Sequence, residues 1–203
     1  MDIRKVLSDN AIKDLLAEED GKFIQTVNSI VGTADSIVPY TGVAQHVNIE
    51  GGLTRDTLVE AMRIIPSTFA NLKTATVLVN HYTIWEIVKW QREPVGGDLA
   101  QEMLINGFQE QVFMNARWIV SIRRGDADNL IPDNTLYLFA EPKYLGKFAI
   151  LDDATMVIDR YGPMIEFSSY ETVGAIVANI AAVGRANFVE ASATPTPTAT
   201  ATT

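Results

Sequence analysis

The residues that could do chemistry are few, and their spacing is wrong for most of it. The chain has two histidines and no cysteine. Disulfides, thiol nucleophiles and Cys-ligated zinc are therefore excluded. His46 falls in a predicted loop with Glu50 nearby, and His81 falls at a predicted helix start with Glu86 five residues on. Neither supplies two ligands at i, i+4 on one helical face, so no metal site is expected, and His81 reads as a capping or surface residue. No Gly-x-Ser-x-Gly occurs to hold a serine nucleophile on a sharp turn. Gly51-Gly52 and Gly96-Gly97 lack the lysine of a phosphate cradle. The acidic runs Glu18-Glu19-Asp20 and Asp152-Asp153 are the remaining candidates for paired-acid work. The first reads as a solvated helix face and the second as a turn between apolar strands. No catalytic residue and no cofactor are expected.

Trp85, Trp90 and Trp118, with Tyr82, could stack on a base or a sugar. Such stacking sites interleave aromatics with basic residues, which here are thin: Arg123-Arg124 and the scattered Arg55, Arg63 and Lys73. With 16 basic against 25 acidic side chains and a net charge of −9, the surface argues against tight nucleic-acid binding, while leaving loose contact with a packaged polymer open. Core packing and subunit contact are the two remaining readings of the aromatics.

The elements that must position these residues follow from periodicity. At 203 residues and 47% hydrophobic content the chain can bury a core as one domain or two intertwined lobes. No run approaches the roughly 20 apolar residues of a membrane span, and Met1-Asp2-Ile3-Arg4-Lys5 does not lead into the apolar segment of a secretory signal. Asp9 can cap a helix whose stripe is Ile12, Leu16, Phe23, Val27 and Ile30, with Gly21 as a weak point and Gly32 as its end. Residues 33–52 read as loop and short strand. Thr54 opens a second helix with Leu58, Ala61, Met62 and Ile65 on one face, which Pro66 stops or kinks. Thr74–Val79 is a continuous β-branched run, read as a buried strand. It enters a helix capped by Asn80, His81 or Thr83, with Ile84, Ile87 and Val88 inward. A further helix is expected from Asp98 to Gly107. Strands are then expected at Val112–Phe113, Trp118–Ser121, Thr135–Ala140, Leu145–Leu151, Thr155–Asp159 and Met164–Phe167. The segment Thr172–Phe188 fits either a helix or two strands about Asn179, and the two-strand reading is preferred. The Pro/Thr-rich tail cannot offset its own ordering entropy.

Laid out in this order, the chain resembles the major capsid proteins of tailed bacteriophages, which share the Hong Kong ninety-seven fold with encapsulin nanocompartments. Leu15–Ile24 resembles the acidic end of that family's spine helix. Thr57–Ile65 followed by Thr76–Ile84 resembles the helix and strand of its axial domain, and Asn106–Ser121 resembles that domain's returning strand. Leu145–Arg160 and Met164–Phe188 resemble its long peripheral strands. The resemblance implies an α+β capsid-type fold with an axial lobe (34–125) and a peripheral lobe (spine helix 1–33 and strands 126–190), followed by a flexible tail (191–203).

It also implies a structural subunit of an icosahedral viral capsid, assembled in the host cytoplasm into pentamers and hexamers around packaged DNA. The partners would be copies of itself, with non-specific contact to DNA and no membrane. Other capsid or scaffold proteins would supply the N-terminal arm and extended hairpin loop that precede the spine helix in that family. The interface residues implied are Trp85, Trp90 and Arg92 on the axial helix, with Arg123 and Arg124 in an exposed loop. The alternatives are an encapsulin-like cellular shell enclosing a cargo protein, and an α+β hydrolase using Asp152 or Asp153.

Overall fold

The β-branched run after Lys73 forms an interior strand in a computed structural model that describes residues 3–32, 35–36, 45–68, 70–88, 90, 111–121, 130–162 and 164–189. In chain order the elements are α1 (Ile3–Val31), β1 (Asp35–Ser36), β2 (His46–Glu50), α2 (Arg55–Met62), β3 (Thr74–Asn80) and α3 (His81–Val88). They are followed by β4 (Gln111–Phe113), β5 (Ala116–Ser121), β6 (Thr135–Ala140), the short α4 (Pro142–Leu145), β7 (Gly146–Tyr161), β8 (Met164–Val177), a 3-10 turn (Ile180–Ala182) and β9 (Val183–Val189). The expected helix from Asp98 to Gly107 and the Pro/Thr-rich tail lie outside the described residues.

Among the described residues, seven strands form one mixed sheet in the order β1-β2-β9-β6-β3-β5-β4, and β7 and β8 pair with each other as a separate ribbon. The large sheet draws strands from both 34–125 and 126–190. Its layering is visible in β6, whose six residues are all buried. Side chains alternate across a strand, so a strand buried at every position needs cover on both faces. Leu136, Leu138 and Ala140 join Val77, Val79 and Trp118 in the cluster under α2 and α3. Tyr137 and Phe139 join Ile24, Val27 and Val31 of α1 on the other face. The sheet is thus sandwiched between α2 with α3 and the C-terminal half of α1.

Local sequence accounts for the ends of these elements. Thr54 and Thr57 close a reciprocal capping box: the Thr57 amide donates to Thr54 Oγ1 (3.3 Å) and the Thr54 amide donates to Thr57 Oγ1 (2.7 Å). α2 ends at Met62, ahead of Pro66, and the turns that follow still bury Ile64 and Ile65 completely. α1 closes at Gly32, whose φ is +67° and whose amide donates to the Asn28 carbonyl (3.2 Å), the left-handed terminus expected of glycine. Asn179 Oδ1 accepts from the Ala181 amide (3.1 Å), turning the chain between β8 and β9 as the two-strand reading of 172–188 required.

Several expectations are corrected. Asp9 lies inside α1, which starts at Ile3, so it is not the cap. Ile12 and Leu16 are about half exposed (49% and 47%), because only the second half of α1 reaches the sheet. His46 is a buried residue of β2, not part of a loop. Asp152 and Asp153 lie within β7, where the pairing register shifts between Ile150 and Thr155. The two strands expected at 145–151 and 155–159 are therefore one strand with an irregularity, because the acidic pair is absorbed by bulging.

The β4–β5 connection is a two-residue turn, Met114-Asn115, with φ of 52° and 58°. Positive φ at both central positions matches the hairpin twist and favours glycine at the second. Asn115→Gly should therefore raise stability by about 0.5 kcal/mol, read as a higher urea midpoint at unchanged m-value.

Candidate assembly surface

α3 is fixed at its start by a buried asparagine. Asn80 Oδ1 accepts from the Thr83 amide (2.8 Å), and Asn80 Nδ2 donates to the Ile131 carbonyl (3.1 Å) and to Asp133. Thr83 Oγ1 in turn accepts from the Asn134 amide (2.8 Å). The helix start is thus tied to the turn that leads into β6. With Thr83, Ile84 and Ile87 buried beneath, the outer face presents Tyr82 and Trp85, each a little over two-fifths exposed. Three residues apart, they are neighbours on that face. The ring of Tyr82 also lies 3.9 Å from that of His81.

The three tryptophans have separate roles. Trp85 stands at the surface, as an interface reading requires. Trp90 is half-buried and packs against the larger core, its amide donating to the Ile87 carbonyl (3.2 Å). Trp118 is fully buried, its indole N–H donating to the Phe113 carbonyl (3.1 Å). Arg92, Arg123 and Arg124 lie outside the described residues.

A larger apolar surface escaped the sequence reading. The β7–β8 ribbon pairs from Gly146↔Val177 to Tyr161↔Met164. In β8, half-buried Val173, Ala175 and Val177 alternate with exposed Thr172, Gly174 and Ile176. α1 covers part of one face: Leu15, Glu18, Glu19 and Lys22 share a groove with Glu171, Thr172 and Val173. Beyond that cover, Phe148, Ile150, Leu151, Ile158, Tyr161, Tyr170 and Ile176 are all more than half exposed, Leu151 by 80%. A lone two-stranded ribbon is marginal in water, and large apolar side chains exposed on both of its faces offer surface for a contact. The signal was present in Phe148-Ala149-Ile150-Leu151, which is apolar at consecutive positions and so predicts a strand wanting cover on both faces.

Among the described residues no three His, Asp or Glu side chains cluster to hold a metal ion, and no helix is long and apolar enough to cross a membrane. Asp152 is exposed on the ribbon, opposite Thr172. A second groove, beside Phe23, Leu145, Phe148 and Val177, is chiefly apolar.

No family model and no curated protein matches the sequence. Among solved structures, the chain is similar to the virus-like particle from Pyrococcus furiosus, with a TM-score of 0.51 and 14% identity, over 91% of this chain and 71% of that one. At that identity the likeness is one of fold: the mixed α+β architecture described above is similar to that of the chain in that particle.

Proposed function

We propose that this protein is a non-catalytic structural subunit that self-assembles into a closed protein shell. The observation that carries the reading is the fold likeness to a virus-like particle over nine-tenths of the chain. The exposed apolar ribbon and the Tyr82/Trp85 face supply surface for contacts between copies. Heterologous contacts of this kind close into rings, and each can be weak because many act together.

Within that reading, a cellular shell of encapsulin type is better supported than a phage capsid, since the similar structure is a virus-like particle. The axial and peripheral lobes, the spine-helix role of α1, the pentamers and hexamers, and the assembly roles of Trp85, Trp90, Arg92, Arg123 and Arg124 are proposals of the same reading. So are cytoplasmic assembly and supply of further arms by partner chains. A phage capsid, the second reading, would put DNA inside rather than a cargo protein.

Negative-stain electron microscopy of the purified protein tests both. Regular closed particles are expected, and a monomer at high concentration rules the shell out. Mass spectrometry and the nucleic-acid content of the particles then separate protein cargo from DNA. The double variant Tyr82→Asp, Trp85→Asp should raise the concentration needed for assembly by ten-fold or more. That corresponds to about 1.5–3 kcal/mol for a large side chain withdrawn from a contact. Unchanged assembly would remove α3 from the interface.

A further inference from the structure

We propose that His46 is an acid-released latch joining the end of α1 to the seven-stranded sheet. The inference does not depend on the shell reading. His46 opens β2 and is buried. One ring nitrogen, Nδ1, donates to the Gly32 carbonyl at the terminus of α1 (2.8 Å). The other, Nε2, meets Asn187 Nδ2 on β9 (2.9 Å).

The surroundings dictate a single protonation state. A carbonyl only accepts, so Nδ1 carries a hydrogen. The Asn187 amide is oriented by three further bonds. Its Oδ1 accepts from Thr135 Oγ1 (3.2 Å) and from Arg185 Nε (3.0 Å), and its Nδ2 also donates to Asn48 Oδ1 (2.9 Å). Nε2 must therefore accept, which requires a neutral imidazole. A second proton would set N–H against N–H. Rotating the Asn187 amide to receive it would turn an NH2 group toward the Arg185 guanidinium. Arg185 is the second attachment of α1, because its Nη1 donates to Asn28 Oδ1 (2.9 Å), which also accepts from the Tyr137 hydroxyl (2.8 Å). Protonation at one ring nitrogen thus disturbs the ties of α1 to His46 and Arg185 and leaves the Tyr137–Asn28 bond.

Among the described residues, the charge acting on that proton is a cation. Arg185 on β9 faces His46 as a cation, and Tyr137 on β6 is held in its protonated form by burial, its pKa pushed up despite Arg185 and Asn28. The last turn of α1, Asn28 to Val31, carries no charge. Glu50 shares the His46 face of β2 but lies about 13 Å along the strand at roughly 3.3 Å per residue. Asp35 on β1 is in register with Val47, not with His46. Burial lowers the His46 pKa below its ordinary value, and Arg185 adds to this against the opposing Gly32 bond.

The sign follows directly. Above pH 6.5, the ordinary histidine value, latched and released states are both neutral and the latch is intact. Below it, the released state binds a proton that the latched state cannot. Release is then favoured by up to about ten-fold per pH unit, until the latched histidine itself titrates.

Hydrogen exchange of residues 24–32, corrected for intrinsic rates, tests this between pH 7.5 and 5. Protection should fall up to ten-fold per unit below pH 6.5 in the wild type and in His81→Gln, and stay level in His46→Gln. A slope that persists in His46→Gln overturns the proposal. Should His46→Gln fail to fold, nitrogen NMR of the wild-type ring decides. The Nδ1–H tautomer titrating below 6.5 supports the latch, and the Nε2–H tautomer or a titration at 6.5 or above ends it.

Discussion

Gly146→Ala should unseat the base of the β7–β8 ribbon, although it adds a single carbon. A β-carbon at Gly146 would lie 1.9 Å from the Ile176 carbonyl oxygen and 3.0 Å from Val177 Cα. Both are backbone atoms, so no side-chain rotation relieves the clash. Gly146 is extended, with φ of 161°, so the requirement is close approach and not backbone freedom. Gly146 also pairs with Val177 where the ribbon begins, next to the Ala178 amide that donates to the Leu145 carbonyl (2.9 Å). Overpacking costs about 1–3 kcal/mol in most cores, and an immovable neighbour puts this substitution at the upper end. The expected result is a lowered urea midpoint and lost exchange protection at the base of the ribbon. A wild-type midpoint would mean that the two strands do not approach as described.

Trp118→Ala should be the most damaging change in the large sheet, at about 3–5 kcal/mol for a fully buried aromatic. The indole sits with Val77, Val79, Leu136 and Leu138, its ring 5.8 Å from that of Phe113. Truncation opens a cavity and also leaves the Phe113 carbonyl without the indole donor. Trp118→Phe separates the two effects, because it keeps most of the volume and loses the bond, and it should cost about 1–2 kcal/mol. Chemical denaturation gives both values, and the loss of the most blue-shifted tryptophan emission confirms that the buried indole is the one removed. Equal costs for the two variants would show that packing contributes little there.

The helices and most strands were readable because their signals are local. Thr54 and Thr57 cap α2 regardless of what surrounds them, and Thr135–Ala140 is apolar or aromatic at every position after its first. What escaped depended on partners distant in sequence. Ile12 and Leu16 obey the helical period as faithfully as Val27, but the sheet extends under only half of α1. His46 seemed a loop residue because β2 is five residues long and takes its pairing from β9, some 140 positions away. The Asp152-Asp153 pair mimicked a turn because bulges, like turns, collect polar residues. At the candidate surface, Trp85 was legible from aromatic type and helical spacing. The apolar ribbon was not, because Phe148-Ala149-Ile150-Leu151 fits a core strand equally well and exposure is a property of the folded arrangement.

The place of β9 within the large sheet has a consequence for synthesis. It lies between β2 and β6, so without it the sheet is two separate pieces, β1-β2 and β6-β3-β5-β4. While a ribosome is still extending the chain toward Val189, each piece keeps an open edge ready to capture a strand from another nascent polypeptide. Translation at about 5–20 residues per second leaves those edges unprotected for seconds. Crowded polysomes should therefore favour cross-pairing between neighbouring chains, and holding newly made copies apart until their final strand emerges should govern how much usable protein a cell obtains.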